Sequence, residues 1–97
     1  MTRAEALQRL RHHRAELNAM GIEHVAIFGS TARGEADAKS DLDLAIRLRP
    51  DARLGWDFFT LDERVGSLLG VSVDLVTEPA SRTRLQAAID RDRVDVF

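Results

Sequence analysis

The stretch Val25-Ala-Ile-Phe-Gly29-Ser30-Thr-Ala-Arg33-Gly34-Glu-Ala-Asp37-Ala-Lys39-Ser40-Asp41-Leu-Asp43-Leu-Ala-Ile46 decides how this chain folds. The apolar run from His24 to Phe28 predicts a central strand. Gly29-Ser30 predicts a tight turn into a short helix beginning at Thr31, with Ser30 as its N-cap. A polar loop over Asp37 to Ser40 follows. Asp41 to Arg47 then predicts a second strand, stopped by Pro50. Alternation along that strand sends Asp41 and Asp43 to one face and Leu42, Leu44 and Ile46 to the other. Two carboxylates held side by side repel each other unless a cation lies between them, so a divalent-metal site is the first expectation. The plain alternative, a polar edge strand, sits poorly with the depletion of Asp in strands.

Upstream, Thr2-Arg-Ala-Glu5 has the form of a capping box. Leu7, Leu10, Leu17 and Met20 recur at helical spacing, and Gly21 is a C-cap residue, which predicts one helix from Thr2 to Met20. Its other face carries Arg9, Arg11, His12, His13 and Arg14. No aromatic residue interleaves with these charges, so a solvated face is expected rather than a nucleic-acid surface. His12 and His13 are adjacent and splay about 100° apart on a helix, a poor metal pair. Downstream, Leu54, Phe58, Leu61, Val65 and Leu68 predict a second amphipathic helix ending near Gly70. Trp56 and Phe59 lie off that stripe and fit either packing under a loop or a partner surface. Val71 to Val76 predicts a third strand, Leu85, Ala88 and Ile89 mark a last helix after Pro79, and Val94 to Phe97 fits a short terminal strand.

The order α-β-α-β-α-β-α-β describes an α+β fold, a small mixed sheet flanked by helices, and 97 residues fit one domain over 1–97. Hydrophobic content of 44% and charged content of 31% are those of an ordinary globular protein. The net charge of −2 argues against nucleic acid as a direct partner. Without cysteine, disulfides and thiolate metal sites are excluded. The N-terminal residues lack the apolar run of a signal peptide, no apolar stretch is long enough to span a bilayer, and a cytoplasmic location fits. Basic side chains are almost all arginine, Lys39 being the single lysine.

Asp74 is a third carboxylate backed by an apolar strand face, between Val73 and Leu75. A long helical crossover can return the chain to the same sheet and bring Asp74 within reach of Asp41 and Asp43. Three oxygen ligands suit Mg²⁺, which takes carboxylates, waters and substrate phosphates; they do not suit zinc. Gly29 allows close backbone approach, the free N–H groups opening the short helix face a phosphate, and Ser30 adds a hydroxyl donor. Arg33, one turn further on, is placed to neutralise phosphate or to brace the loop against Asp37 or Asp41. A phosphate-binding turn beside a metal-binding carboxylate cluster means phosphoryl or nucleotidyl transfer. Gly29 to Gly34 is not a P-loop, because Glu35-Ala36 follows where Lys and Ser or Thr are needed. An EF-hand starting at Asp41 fails at Ala45 and Ile46. Asp95 has a similar Val-Asp-Val setting but no phosphate-binding turn near it in sequence.

Gly29-Ser30-Thr-Ala-Arg33-Gly34 followed by Ser40-Asp41-Leu-Asp43-Leu resembles the G-S-x10-D-x-D signature of the DNA polymerase β-like nucleotidyltransferases. The small size, the wording Gly29-Ser-Thr-Ala-Arg-Gly-Glu-Ala36 and the strand Val73-Asp-Leu-Val-Thr77 resemble the minimal nucleotidyltransferases known as MNT or MntA-like antitoxins. The resemblance runs from about Gly21 to the end of the chain. It implies a polymerase β-like core, ATP as substrate with Mg²⁺, and transfer of AMP to a tyrosine of a cognate HEPN-domain ribonuclease toxin, which silences it. It also implies that Asp41, Asp43 and Asp74 are the catalytic, metal-binding carboxylates, and that Gly29 and Ser30 hold the triphosphate. Two alternatives stay open: an antitoxin that acts by binding and occlusion alone, and a nucleotidyltransferase acting on a small molecule or an RNA end. The chain offers no helical domain to grip a large acceptor, so the acceptor is expected to complete the site itself.

Overall fold

The structure, a computed structural model, describes residues 1–37, 39–52 and 60–97. Leu54, Trp56, Phe58 and Phe59 lie outside the described residues, and with them the first part of the predicted second helix and the question of a partner surface there. The described elements are α1 (Arg3–His12), α2 (Arg14–Ala19), β1 (Ile22–Phe28), α3 (Gly29–Arg33), β2 (Leu42–Leu48), α4 (Leu61–Leu69), β3 (Val73–Thr77), α5 (Thr83–Asp92) and β4 (Val94–Asp95). They form the expected α+β architecture, with one four-stranded sheet in the order β3-β2-β1-β4. β1 is antiparallel to β2 and β4, whereas β2 and β3 are parallel. The parallel pair requires the crossover that α4 supplies.

Register divides the sheet into two faces. Val25, Ile27, Leu42, Leu44 and Ile46 point to one side, where they pack with Ala6, Leu10, Leu17, Leu61, Val65 and Leu69 of α1, α2 and α4. Each large side chain buried there contributes about 1.5–3 kcal/mol relative to exposure. Ala26, Phe28 and Ala45 point to the other side, under Ile89 and the half-buried Leu85 of α5. The small residues Ala26 and Ala45 let α5 sit close to the sheet.

Several boundaries differ from the sequence expectation, each for a local reason. The predicted first helix is two segments, because His13 leaves helical geometry at ψ 20°. Both segments still bury their stripe, through Leu10 and Leu17. α3 opens at Gly29, not Thr31; Phe28 is the N-cap and no side chain caps it. β2 starts at Leu42, so Asp41 lies just before the strand. β3 starts at Val73, because the Val71 amide is held by the carbonyl of Gly66 at the end of α4.

The basic face of α1 and α2 is also not simply solvated. Arg9 Nη1 donates to the Leu69 carbonyl at 3.1 Å, Arg3 Nη1 to the Ala32 carbonyl at 3.1 Å, and Arg11 Nε to the Val96 carbonyl at 3.4 Å. The Arg14 guanidinium lies 4.9 Å from the centre of the Phe97 ring. These arginines tie the first helices to the ends of α3 and α4 and to the two residues that follow β4. Among the described residues no helix is long and apolar enough to cross a membrane.

Candidate active site

The site is built where the end of β1 meets the beginnings of β2 and β3. Phe28 pairs with Asp43 across the antiparallel ladder, and Asp43 pairs with Asp74 across the parallel one. Residues paired across neighbouring strands share a face, so Asp43 and Asp74 are neighbours on the α5 side of the sheet. Ile89 covers that face over β1, at Ala26 and Phe28, while Asp74 is exposed on β3. The face is therefore closed on one flank and open on the other. Asp41 is exposed immediately before β2, and the Leu42 amide donates to the Ser72 carbonyl at 2.9 Å, locking the entry of β2 to the entry of β3. The crossover expected from the sequence thus brings Asp74 to Asp43.

Gly29 is required twice. Its φ of +72° is a left-handed conformation that other residues adopt at a cost. A Cβ placed there would collide with Oδ2 of Asp43 and lie 3.1 Å from its Cγ. The turn and the carboxylate are thus in van der Waals register with each other. Ser30 falls in the first turn of α3 instead of capping it. Its carbonyl accepts from the Glu35 amide at 2.8 Å, while its hydroxyl has no partner among the described residues. A hydroxyl not spent on capping is available to a ligand.

Arg33 braces neither Asp37 nor Asp41. Its Nε donates to Glu35 at 3.0 Å and its Nη1 to Asp92 at 2.6 Å, joining α3 to the end of α5. These carboxylates raise the Arg33 pKa above its ordinary value, the Glu35 hydrogen bond first. Asp37 instead organises the loop: its carboxylate accepts from the Lys39 amide at 2.8 Å and from the Ser40 hydroxyl at 3.2 Å. Those bonds, the Lys39 amide first, hold its pKa below the ordinary value. The spacing Asp37-x-x-Ser40 is the local side-chain-to-backbone pattern that could have revealed this role. The role of Asp92 carries no comparable signal, because it depends on a long-range contact.

Asp43 is held above the ordinary carboxylate pKa. Partial burial is the largest cause, followed by the charges of Asp74 and Asp41, and the positive charge of Arg33 offsets part of it. A half-buried carboxylate beside two others is an electrostatically unfavourable group that a divalent cation would relieve. The all-oxygen donor set fits Mg²⁺ better than a softer metal. Among the described residues no three acidic or histidine side chains already converge on one point. Mutual repulsion favours that spread arrangement.

Comparison with known proteins follows the same geometry. The family model of the nucleotidyltransferase domain matches residues 7–95. A chain of Methanocaldococcus jannaschii assigned as a protein adenylyltransferase is 36% identical over 79% of this chain and 90% of its own length. The protein adenylyltransferase MntA of Thermococcus cleftensis is 33% identical over 87% of this chain and 85% of its own length. A solved structure assigned as a minimal nucleotidyltransferase superposes with a TM-score of 0.76 at 33% identity, covering 97% of this chain and 95% of the other. The fold also recurs, at 20% identity and a TM-score of 0.65, in a chain from the complex of a tri-AMPylated Shewanella oneidensis HEPN toxin with an MNT antitoxin. That match covers 94% of this chain and 71% of the other. With its sheet, its glycine turn and its paired carboxylates in this arrangement, the chain belongs to the nucleotidyltransferase domain family, and to the minimal, MNT-like kind within it.

Proposed function

We propose that this nucleotidyltransferase is the antitoxin of a HEPN/MNT pair, and that it transfers AMP from ATP to a tyrosine of a HEPN-domain partner protein in the cytoplasm. The observation that carries the reading is the cross-strand pairing of Asp43 with Asp74 beside a glycine turn into which the Asp43 carboxylate fits. The names of the similar proteins, protein adenylyltransferases and an MNT–HEPN complex, support a HEPN-domain protein as the acceptor.

In this reading Asp41, Asp43 and Asp74 hold Mg²⁺, whose chemistry when bound is to neutralise the carboxylates and polarise the phosphates. Gly29 lets the backbone approach the triphosphate, and Ser30 donates its hydroxyl to it. Arg33 places a fixed positive charge beside the same turn. The tyrosine oxygen forms its bond to the α-phosphorus as the bond to pyrophosphate breaks, and the phenolic proton passes to the exposed carboxylate of Asp74. The amides opening α3 meet the charge that develops on the leaving pyrophosphate. The open flank over β3 is the side from which the acceptor enters, and the partner protein closes it. The whole span 1–97 acts as one such domain.

Incubation with ATP labelled at the α-phosphate, Mg²⁺ and a co-expressed HEPN partner tests this. The label is expected on the partner protein. Label appearing only on an RNA end or a small molecule would overturn it. Neutralisation of the partner by the Asp41→Asn/Asp43→Asn double variant would show that occlusion, not transfer, is the mechanism.

A further inference from the structure

The helix carrying the Gly29-Ser30 turn is only five residues long, too short to hold itself in water. Its orientation is set by what it is tied to. On one side Arg3 of α1 donates to the Ala32 carbonyl, at the end of α3. On the other, Arg33 reaches Asp92, the last residue of α5. The two partners of Arg33 differ in kind. The Glu35 side chain is 64% exposed, and an ion pair so open to water holds little. The Asp92 side chain is only 8% exposed and its Oδ2 lies 2.6 Å from Nη1 of the more open Arg33, a short charge-assisted bond whose carboxylate end is withdrawn from solvent.

The placement of Asp92 also runs against its local surroundings. A carboxylate at a helix C-terminus faces the negative end of the helix dipole. Arg91 Nε, at 3.5 Å, gives only partial relief, and the Arg91 side chain is itself largely exposed. An unfavourable local choice matched by a long-range partner marks a contact made for the sake of what it positions.

We propose that Asp92 is a positioning residue for the nucleotide: through Arg33 it fixes α3 against α5 and leaves Nη2 of the guanidinium, which neither carboxylate engages, for the phosphates. This rests on the reading of Gly29-Ser30 as the phosphate-binding turn. Asp92 itself touches no reacting atom. Its effect is to turn a marginal helix into a fixed donor surface and to point a planar fork.

The test uses the full chain with Asp92→Asn, Asp92→Glu, Glu35→Gln and Ser30→Ala. Three quantities are read: KM and kcat for ATP, equilibrium binding of a fluorescent ATP analogue, and backbone amide exchange of residues 29–34. In Asp92→Asn, KM and Kd should rise about five- to tenfold with kcat changed less than about twofold, the loss of one charge-assisted bond. Amides of α3 should exchange faster while those of β1 and β2 hold. Asp92→Glu should recover most of the affinity, and Glu35→Gln should stay within about twofold of wild type. Wild-type affinity and wild-type α3 exchange in Asp92→Asn would overturn the proposal. So would an exchange increase spread evenly over all strands, which marks general destabilisation. If Ser30→Ala leaves ATP binding intact while Asp92→Asn weakens it, the Ser30 hydroxyl is no phosphate donor, and the positioning of Arg33 and the α3 backbone by Asp92 stands. The converse result removes the positioning role and leaves the turn.

Discussion

Replacing Gly29 by alanine separates backbone strain from the geometry of the site. The first cost is conformational: a φ of +72° forces an L-residue into the left-handed region, about 1–2 kcal/mol. For a domain of this size that lowers Tm by roughly 5–15 °C. The second cost is local. The new Cβ would collide with Oδ2 of Asp43 and stand 3.1 Å from Cγ and 3.3 Å from its Cβ, so the carboxylate must retreat by about 1 Å to reach ordinary contact. A displacement of that size at a catalytic group lowers turnover by about 10²-fold. Gly70→Ala is the matched control. Its φ of +76° carries the same strain, but a Cβ there has nothing within 4 Å. Both variants should therefore lose similar stability in thermal or urea unfolding, while AMP transfer collapses only in Gly29→Ala. Equal transfer rates in the two variants, at matched folded fractions, would refute the argument that the Asp43 carboxylate is seated against this turn.

Further predictions concern the carboxylates and the core. Asp74→Asn should reduce transfer by about 10²–10⁴-fold while circular dichroism and the unfolding midpoint stay close to wild type, because the side chain is exposed. Asp43 has a folded pKa above its unfolded one, so the folded chain binds more protons between those two values. Stability measured in chelator should therefore fall as pH rises through that window and level off above it. Asp43→Asn should flatten the fall, and a steeper one in that variant would contradict the assignment. Asp37 has the opposite sign: its stabilisation is present above its unfolded pKa and is lost as pH falls through the lowered folded value. Leu10→Ala, at a fully buried position in the larger core, should cost about 2–5 kcal/mol in urea unfolding.

The central part of the molecule was legible because its signals are short-range. Alternation placed Leu42, Leu44 and Ile46 on one face and Asp43 on the other, and one crossover predicted where Asp74 would land. The register pairing Asp43 with Asp74 agrees with that expectation. Helix termini were less legible. Ser30 has the chemistry of an N-cap, yet the left-handed Gly29 already begins the helix and moves Ser30 inside it. His13 interrupts a periodic pattern that Leu10 and Leu17 satisfy on both sides, so the apolar spacing alone contains no sign of the break. The partners of the arginines were hidden for another reason. Arg3, Arg9 and Arg33 bond to groups 29, 60 and 59 residues away, and long flexible side chains show no period from which such contacts can be read. Arg33 illustrates the error: Asp37 and Asp41 are close in sequence, but tertiary packing presents Asp92.

The division of the site between a local hairpin and a distant strand also bears on how the chain matures. Gly29 and Asp43 are joined by a short helix and loop, and their strands form an antiparallel pair between neighbours in sequence. Asp74 joins them only when the β2–α4–β3 crossover has closed and its parallel pair has formed. Closing the longer loop costs more entropy before any contact rewards it, so such pairings are the slower part of folding. A newly made or partly opened copy therefore holds the Gly29 turn, Asp41 and Asp43 together before it holds Asp74. On the proposed assignment of the carboxylates, chemical competence arrives with β3, and transfer activity reports closure of the crossover more strictly than helix content does.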